Sequence, residues 1–258
     1  MRYLPVLVAS LVASVAAAPS NIVRNNVYGY SAELAEFYSR VSHYIGEIRQ
    51  ASTASPTCDT SKIALPAQAS GLPAPPAGQK VLHVAVGRGT QNYTCADSTA
   101  NTKPVAIGAL ASLYNATCVA ANYPDLMSMA PNVVINIALP TKSSSTLPPA
   151  NLELLGHHFF RDTTTPVFNL DTTPERQYGI AISKKNSSMS APTDAVKGQH
   201  NTGNGAVAWL YLDTINGTVG DYKSVYRVNT AGGNPPATCE GMGKTFTVQY
   251  SADYYFYG

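Results

Sequence analysis

The clearest hydrophobic pattern near the start of the chain covers residues 31–49. Apolar side chains recur there at spacings of three and four, which places them on one face of a helix. They are Leu34, Phe37, Val41, Ile45 and Ile48. Ser31 is suited to capping the first turn, and Glu33 and Glu36 suit the positive end of a helix dipole. The pattern predicts an amphipathic helix packed on the main body of the protein.

From residue 81 onward, short β-type runs are separated by turn residues such as Asn216-Gly217. Some runs alternate apolar and polar side chains and others are continuously apolar, as expected for edge and core strands. The predicted strands are Val81–Val86, Val133–Leu139, His157–Phe160, Tyr178–Ile182, Val207–Leu212, Ser224–Asn229, Thr245–Tyr250 and Tyr254–Tyr257. No second helix is evident. The series predicts a mainly β fold, an antiparallel β-sandwich or barrel with one N-terminal helix packed outside.

Two stretches lack such patterns. Residues 50–80 are rich in Ala, Ser, Thr, Pro and Gly, which is typical of a connecting segment on the surface. Residues 183–205 are polar and predict a long loop. The chain therefore divides into an N-terminal helical segment with a linker at 19–57 and a single β-rich domain at 58–258.

The first eighteen residues resemble a secretory leader. Arg2 precedes an uncharged apolar run, and small residues follow up to Ala18. We therefore predict a signal peptide at 1–18 and a secreted protein, extracellular or associated with the cell wall. No later apolar run is long enough to span a membrane. A net charge of +2 and only 12% charged residues give no reason to expect nucleic acid as a partner.

Four cysteines and four glycosylation sequons fit the same compartment. The cysteines are Cys58, Cys95, Cys118 and Cys239. An even count in an exported chain predicts two disulfides, and of the three possible connectivities we favour Cys58–Cys118 with Cys95–Cys239. The sequons predict glycans at Asn92, Asn115, Asn186 and Asn216, of which the last two suit exposed loops best.

Two motifs suggest ligands at first sight. Gly87-Arg-Gly89 after an apolar run suggests a dinucleotide loop, but the third glycine is missing and a cysteine at position 95 follows instead of a helix. A strand, a glycine bend and a second strand suit this segment better. His157 and His158 are adjacent, so on a strand they point to opposite faces and do not share a metal ion. We predict no metal site and no cofactor.

Catalytic and aromatic patterns are equally unspecific. No G-x-S-x-G elbow occurs. Carboxylates for glycoside hydrolysis could come from Glu153, Asp162, Glu175, Asp213 and Asp253, but only their separation in space would support such a pair. The residues of the aromatic terminus, Tyr254–Tyr257, alternate between two faces, so at least one pair is expected in the core. Arg227 either forms a structural ion pair with Asp253, which we favour, or lines a polar pocket.

Several sequence blocks are similar to a known family. They are Val84–Cys95, Lys103–Ala109, Gly156–Phe159, Ala206–Leu210, Tyr226–Gly233 and Val248–Tyr257. Occurring in this order, they resemble domain-of-unknown-function family 3455 over about residues 58–258. That resemblance implies a protein of filamentous fungi or bacteria that usually follows a signal peptide. The family's role is not established, so it implies no catalytic residues, and the malate dehydrogenase label on some members has no support here because no Rossmann pattern is present.

The sequence favours a non-catalytic protein that binds a cell-wall polysaccharide or a small extracellular ligand. A secreted enzyme, either a hydrolase with a carboxylate pair or an unrecognised chemistry, and an interaction protein at a host or neighbouring surface remain alternatives. On side-chain chemistry alone, the candidate ligand-binding residues are Gln91, Tyr93, His157, His158, Trp209, Arg227 and Asp253. A concave site that gathers a histidine with Arg227 and Asp253 would favour ligand binding or catalysis.

Overall fold

The structure, a computed structural model, describes residues 32–51, 57–141 and 144–258. The predicted signal peptide at 1–18 and the capping residue Ser31 lie outside these ranges. The helices are α1 (Ala32–Ala51), α2 (Thr117–Asn122) and α3 (Pro124–Val134). The strands are β1 (Val81–Thr94), β2 (Val105–Asn115), β3 (Thr146–Leu147), β4 (Leu152–Phe160), β5 (Pro166–Thr173), β6 (Arg176–Met189), β7 (Trp209–Thr214), β8 (Ser224–Gly232) and β9 (Thr245–Tyr257).

The strands form one antiparallel sheet that closes on itself. Their order is β2-β1-β9-β8-β7-β6-β5-β4-β3, and β2 also pairs with β4, with Ala111 opposite His158 and Leu113 opposite Gly156. This last pairing completes a ring of eight strands, while the two-residue β3 only extends β4. The prediction of a mainly β antiparallel fold is confirmed, and the closed ring makes it a barrel.

Both faces of the barrel wall are buried along much of its length. Side chains that point into the ring form one core cluster, which includes Phe168, Tyr254 and Phe256. Side chains on the outer face form a second cluster, which includes Tyr255 and Tyr257. The terminal aromatic residues therefore alternate between two cores, as their pattern predicted, and both pairs are buried.

The helices and the segment before β1 cover part of the outer face. Helix α3 packs against β1, β8 and β9, and α1 packs in turn on α3 through Phe37, Leu126 and Val133. Arg40 of α1 forms an ion pair with Asp125 of α3 at 2.9 Å. The amphipathic helix is confirmed within its described residues. None of the helices in the described ranges is long and apolar enough to cross a membrane.

Two disulfides join distant parts of the chain. Cys58 pairs with Cys118, which fastens the segment before β1 to α2. Cys95 pairs with Cys239, which fastens the end of β1 to the loop before β9. The favoured connectivity is confirmed.

The expectation of a single helix, and with it the strand at Val133–Leu139, was wrong. Residues 117–134 form α2 and α3, and the apolar run that follows is a buried turn. Met127, Ala130 and Val134 of α3 are buried against the body. A short apolar run fits a buried strand and a buried helix equally well, so periodicity alone could not separate them.

The glycine bend in β1 was also wrong, because this strand runs unbroken from Val81 to Thr94. Gly87 and Gly89 both occupy its lumen face. A Cβ at Gly87 would lie 2.6 Å from the Tyr254 ring, and one at Gly89 would lie 1.9 Å from the carbonyl oxygen of Leu110. The glycines therefore make room for an aromatic ring and for close pairing with β2.

Other strand boundaries were underestimated. The polar loop expected at 183–205 begins only after Met189, because β6 continues through a run of Ser, Lys and Asn. Strands β2 and β5 were not predicted, and the two runs expected at the C-terminus form one strand, β9. A barrel wall that faces solvent or a wet lumen accepts polar residues, which conceals it from a search for apolar alternation.

Candidate ligand-binding cavity in the barrel lumen

A cavity of about 530 Å³ occupies one end of the barrel lumen. Each of the eight strands in the ring contributes to its lining, and the β4–β5 loop forms part of its rim. The volume lies within the range of about 300–1,000 Å³ that is usual for small-molecule sites. The lining residues are Gln91, Ala106, Gly108, His158, Phe160, Thr163, Thr164, Thr165, Pro166, Phe168, Lys184, Lys185, Leu210, Leu212, Arg227 and Tyr254.

The apolar part of the lining is a cluster of rings and leucines. The His158 ring stacks on Phe168 with centroids 4.4 Å apart and an interplanar angle of 10°. The ring centroids of Phe168 and Tyr254 are 5.5 Å apart, and Leu210 and Leu212 of β7 line the same space. These side chains give the cavity a surface suited to an apolar or aromatic ligand body.

His158 is fully buried at the cavity wall. Its Nδ1 lies 3.0 Å from the carbonyl oxygen of Val167, which requires the proton to be on Nδ1. Burial, with a smaller contribution from the positive charge of Arg227, lowers the pKa of His158 to about 4, although the hydrogen bond to Val167 opposes the shift. The imidazole is therefore neutral at physiological pH.

Arg227 and Gln91 supply polar groups without protein partners. Arg227 is 8% exposed, and its Nη2 donates to the carbonyl oxygen of Ala208 at 2.8 Å. Among the described residues, its Nε has no hydrogen-bond partner and no carboxylate forms an ion pair with it. Gln91 is 7% exposed, and its Nε2 is buried without a partner in the same ranges. Buried donors are normally paired, so these two unpaired nitrogens are exceptions within residues that line the cavity.

Three tyrosines lie close to Arg227 inside the lumen. The hydroxyls of Tyr250 and Tyr254 are 2.8 Å apart, and Tyr93 donates to the carbonyl oxygen of Gly233 at 2.8 Å. Burial raises the pKa of Tyr93 to about 12 and raises the pKa of the other two as well. All three remain neutral, so they do not neutralise the guanidinium.

The charge at the cavity is positive. Lys184 and Lys185 are exposed and line its rim, and Arg227 lies deeper. None of the lining residues in the described part of the chain is an Asp or Glu. An anionic ligand would therefore meet only favourable formal charges on these side chains.

The seven candidate residues fall into two groups. Gln91, His158 and Arg227 line the cavity. Tyr93 shares the lumen face of β1 with Gln91 but bonds to Gly233 instead of lining the cavity. The remaining three, which are His157, Trp209 and Asp253, lie on the outer face of the wall.

The expected ion pair between Arg227 and Asp253 does not form. Arg227 is opposite Tyr254, whereas Asp253 is opposite Val228, so the two charged side chains lie on opposite faces. Asp253 accepts a hydrogen bond from Nδ2 of Asn229 at 2.8 Å, and burial raises its pKa well above the ordinary value. This carboxyl is a neutral group of the outer core.

The other carboxylates considered for hydrolysis do not line the cavity, although Asp162 lies in the β4–β5 loop that forms part of its rim. Glu153 pairs with the exposed Arg176 at 2.9 Å, and Asp162 accepts hydrogen bonds from Thr164. Asp213 accepts a hydrogen bond from Asn186, and Glu175 is exposed in the β5–β6 turn. No described group of three or more His, Cys, Asp and Glu side chains could hold a metal ion.

Sequence reasoning missed several lining residues. Lys184 and Lys185 fell within the expected loop, and Phe168 lies on the unpredicted β5. Tyr254 was noticed only as a core aromatic. No local signal marks the two lysines as strand residues, because the run of Ser, Lys and Asn after Ile182 has a low strand propensity.

The four sequons occupy two kinds of position. Asn186 and Asn216 are exposed, the latter in a turn. Asn92 and Asn115 are half-buried, and the Asn115 side chain accepts hydrogen bonds from the Thr117 backbone and hydroxyl. Glycosylation itself stays a prediction at all four.

Fold and cavity together define a closed eight-stranded antiparallel barrel with a ligand-sized space in its lumen. Residues 76–258, which contain the whole barrel, match the model of a family described as protein of unknown function (DUF3455). The chain belongs to that family, so the resemblance seen in the sequence is confirmed. Residues 9–73 match a second model, also described as protein of unknown function (DUF2990). No curated protein and no solved structure matches the chain.

Proposed function

We propose that this is a secreted, non-catalytic protein that binds a small extracellular ligand inside its barrel. The observation that carries the proposal is the lumen cavity, where buried nitrogens of Arg227 and Gln91 have no partner in the described ranges. An unpaired buried donor costs about 1–3 kcal/mol, and a ligand that accepts its hydrogen bond would recover that free energy.

The cavity favours a small ligand over a polysaccharide chain. Sugar polymers are commonly held on exposed aromatic rings, but the aromatic terminus is buried on both faces. The large exposed aromatic side chains of the described residues are Tyr38, Phe159 and Tyr178, and these belong to three different elements. They do not form a platform along which a chain of sugars could stack.

Secretion is supported by the leader pattern and by the cysteines. All four cysteines are disulfide-bonded, and structural disulfides persist chiefly in oxidising compartments. Mass spectrometry of the native protein would test this part of the proposal. We expect loss of the leader and no free thiols, and an intact leader with four reduced thiols would contradict it.

A blocked variant tests binding in the cavity. Ala106 is exposed at the cavity edge, so Ala106→Trp should place an indole in the opening without disturbing the core. Ala100→Trp, in an exposed turn outside the cavity, is the matched control. The probes are two fluorescent dyes with the same aromatic body, neutral N-phenylnaphthylamine and anionic anilinonaphthalene sulfonate.

We expect at least one dye to bind the wild-type protein and the Ala100→Trp control, and to bind the Ala106→Trp variant at least tenfold more weakly. Binding that is absent, or equal in the two tryptophan variants, would overturn the proposal. Retention of the wild-type protein on insoluble chitin or β-glucan, unaffected by Ala106→Trp, would instead assign a polysaccharide site elsewhere on the surface.

A further inference from the structure

The charge of the cavity narrows the class of ligand, and this inference rests on the proposed function. We propose that the lumen binds an organic anion, an apolar molecule carrying one oxyanion group, with Arg227 as the residue that holds the charged group.

Arg227 is a buried cation without a counter-ion in the described ranges. Buried charges in proteins are normally paired, because removing an ion from water costs several kcal/mol. The guanidinium has five N–H donors; one donates to the carbonyl oxygen of Ala208, and the Tyr254 hydroxyl is a second neighbour within hydrogen-bonding reach, but neither group carries a negative charge. An oxyanion would supply both the missing charge and further acceptors.

The neighbours of Arg227 do not provide that charge. Tyr250 and Tyr254 remain protonated, and His158 is neutral. Asp253 is adjacent to Tyr254, the residue opposite Arg227 on β9, but its carboxyl group lies on the other face of the wall. The side chains inside the lumen therefore leave one positive charge uncompensated.

The rim extends the same preference outward. Lys184 and Lys185 stand at the mouth, so an anion approaching from solvent would pass two exposed cations before it reaches the buried one. Two carboxylates lie nearby, because Asp213 is opposite Lys184 on β7 and Asp162 belongs to the rim loop, so Lys185 contributes most to this gradient. Gln91 adds a buried amide beside this path. Such a gradient favours encounter with anions, and its effect should weaken with salt.

The rest of the lining requires an apolar body. Phe160, Phe168 and Leu210 face the same space, and inorganic phosphate alone would leave these surfaces in contact with water. A molecule with a charged end and an apolar end would cover both parts of the lining.

The two dyes measure this preference directly. Because their aromatic bodies match, the ratio of their dissociation constants isolates the contribution of the anionic group. We expect the wild-type protein to bind anilinonaphthalene sulfonate at least tenfold more tightly than N-phenylnaphthylamine, as befits a charge-assisted hydrogen bond. Arg227→Gln should abolish the preference, whereas Arg176→Gln, at an exposed arginine of the β5–β6 hairpin, should retain it.

A second variant keeps the test open if Arg227→Gln does not fold. Replacing both exposed rim lysines, Lys184→Gln with Lys185→Gln, should weaken sulfonate binding about threefold and leave binding of the neutral dye unchanged. Far-UV circular dichroism and the emission of the single tryptophan, Trp209, verify that each variant is folded.

Competition identifies the oxyanion. Octanoate and octyl phosphate are expected to displace the sulfonate dye, and octanamide is expected to fail; whichever of the first two is stronger defines the group. Equal affinity for the two dyes, with no response to Arg227→Gln or the lysine double variant, would overturn the anion preference alone. Loss of any difference between Ala106→Trp and Ala100→Trp would instead overturn cavity binding itself.

Discussion

Two buried arginines show how differently the outer layer and the lumen of this barrel are built. Arg88 points outward from β1 beneath the turn after α3, and it is 0% exposed. It donates to the carbonyl oxygen of Ile137 at 2.8 and 3.0 Å, to that of Tyr250 at 3.2 Å, and to the Gln249 side chain. Arg227 points inward, donates to the carbonyl oxygen of Ala208 and lies beside the Tyr254 hydroxyl. Burial is common to both, so saturation with acceptors distinguishes the structural arginine from the one that is available to a ligand.

The two environments also differ in their electrostatic consequences. Burial lowers the pKa of Arg88 to about 10, which leaves it protonated at neutral pH while its charge is spread over backbone carbonyls. The charge of Arg227 instead acts on the unoccupied part of the lumen. The arginine of the outer layer therefore contributes to the stability of the fold, whereas the lumen is where we propose that a ligand binds.

The largest expected effect is the loss of stability in Arg88→Met. The substitution leaves the carbonyl oxygens of Ile137 and Tyr250 without this donor, and the free energy of unfolding should fall by about 3–5 kcal/mol. Urea unfolding at pH 7, followed by far-UV circular dichroism, measures it. Arg176→Met, at an exposed ion pair, is the control and should change stability by less than about 1 kcal/mol. A loss below about 1 kcal/mol in Arg88→Met would remove the structural half of the comparison.

Asp253, in the outer layer, should make the free energy of unfolding depend on pH. Its folded-state pKa is raised well above 3.8 by burial, so its contribution to stability is complete below pH 3.8 and is lost as the pH rises towards the folded pKa. Asp253→Asn removes this loss. The stability of the variant relative to wild type should therefore grow by about 1.4 kcal/mol per pH unit between pH 4 and the folded pKa.

Urea unfolding of wild type and Asp253→Asn at intervals from pH 4 to 8 measures that divergence. Asp213→Asn, at a partly exposed carboxylate on β7, is measured in parallel as the control for the loss of a carboxylate. A stability difference that does not vary with pH would show that the Asp253 carboxyl is ionised in the folded protein.

The sequence predicted correctly those features that depend only on the alternation of side chains within one strand. Alternation alone separated Tyr254 from Tyr255, and adjacency alone separated His157 from His158. It could not decide whether Arg227 and Asp253 share a face, because that depends on the register between β8 and β9. A register shift of one residue reverses the faces of an entire strand, and a single sequence does not carry that information.

Closure of the barrel was the second step beyond the sequence. The cavity exists because β2 pairs with β4 and closes the ring. The sequence did not predict β2, and it predicted only the His157–Phe160 part of β4, with no indication that the two strands pair. Contacts this distant along the chain leave no local periodicity. The sequence therefore predicted a set of candidate side chains, of which Gln91, His158 and Arg227 line one cavity. It did not predict where in the fold that cavity lies.

His158, in the lumen, should also make the stability of the protein depend on pH, with the sign opposite to that of Asp253. Its pKa falls from 6.5 to about 4 on folding, so its stabilising effect is complete above pH 6.5 and is lost as the pH falls to 4. The shift corresponds to roughly 3 kcal/mol. Urea unfolding of wild type and His158→Phe across that range should show the wild type losing this amount relative to the variant. A constant difference would place a protonated imidazole in the folded lumen.

The smallest expected effect completes the comparison with Arg88. Arg227→Met removes the hydrogen bond to Ala208, worth about 1 kcal/mol, and the contact with the Tyr254 hydroxyl, and at the same time it removes a buried charge that has no counter-ion in the described ranges. These contributions oppose each other, so the free energy of unfolding should change by less than about 1 kcal/mol, measured beside Arg88→Met under the same conditions. A loss of about 3 kcal/mol or more would mean that Arg227 supports the barrel as Arg88 does. In that case a buried arginine with few acceptors would no longer indicate a ligand site in this protein.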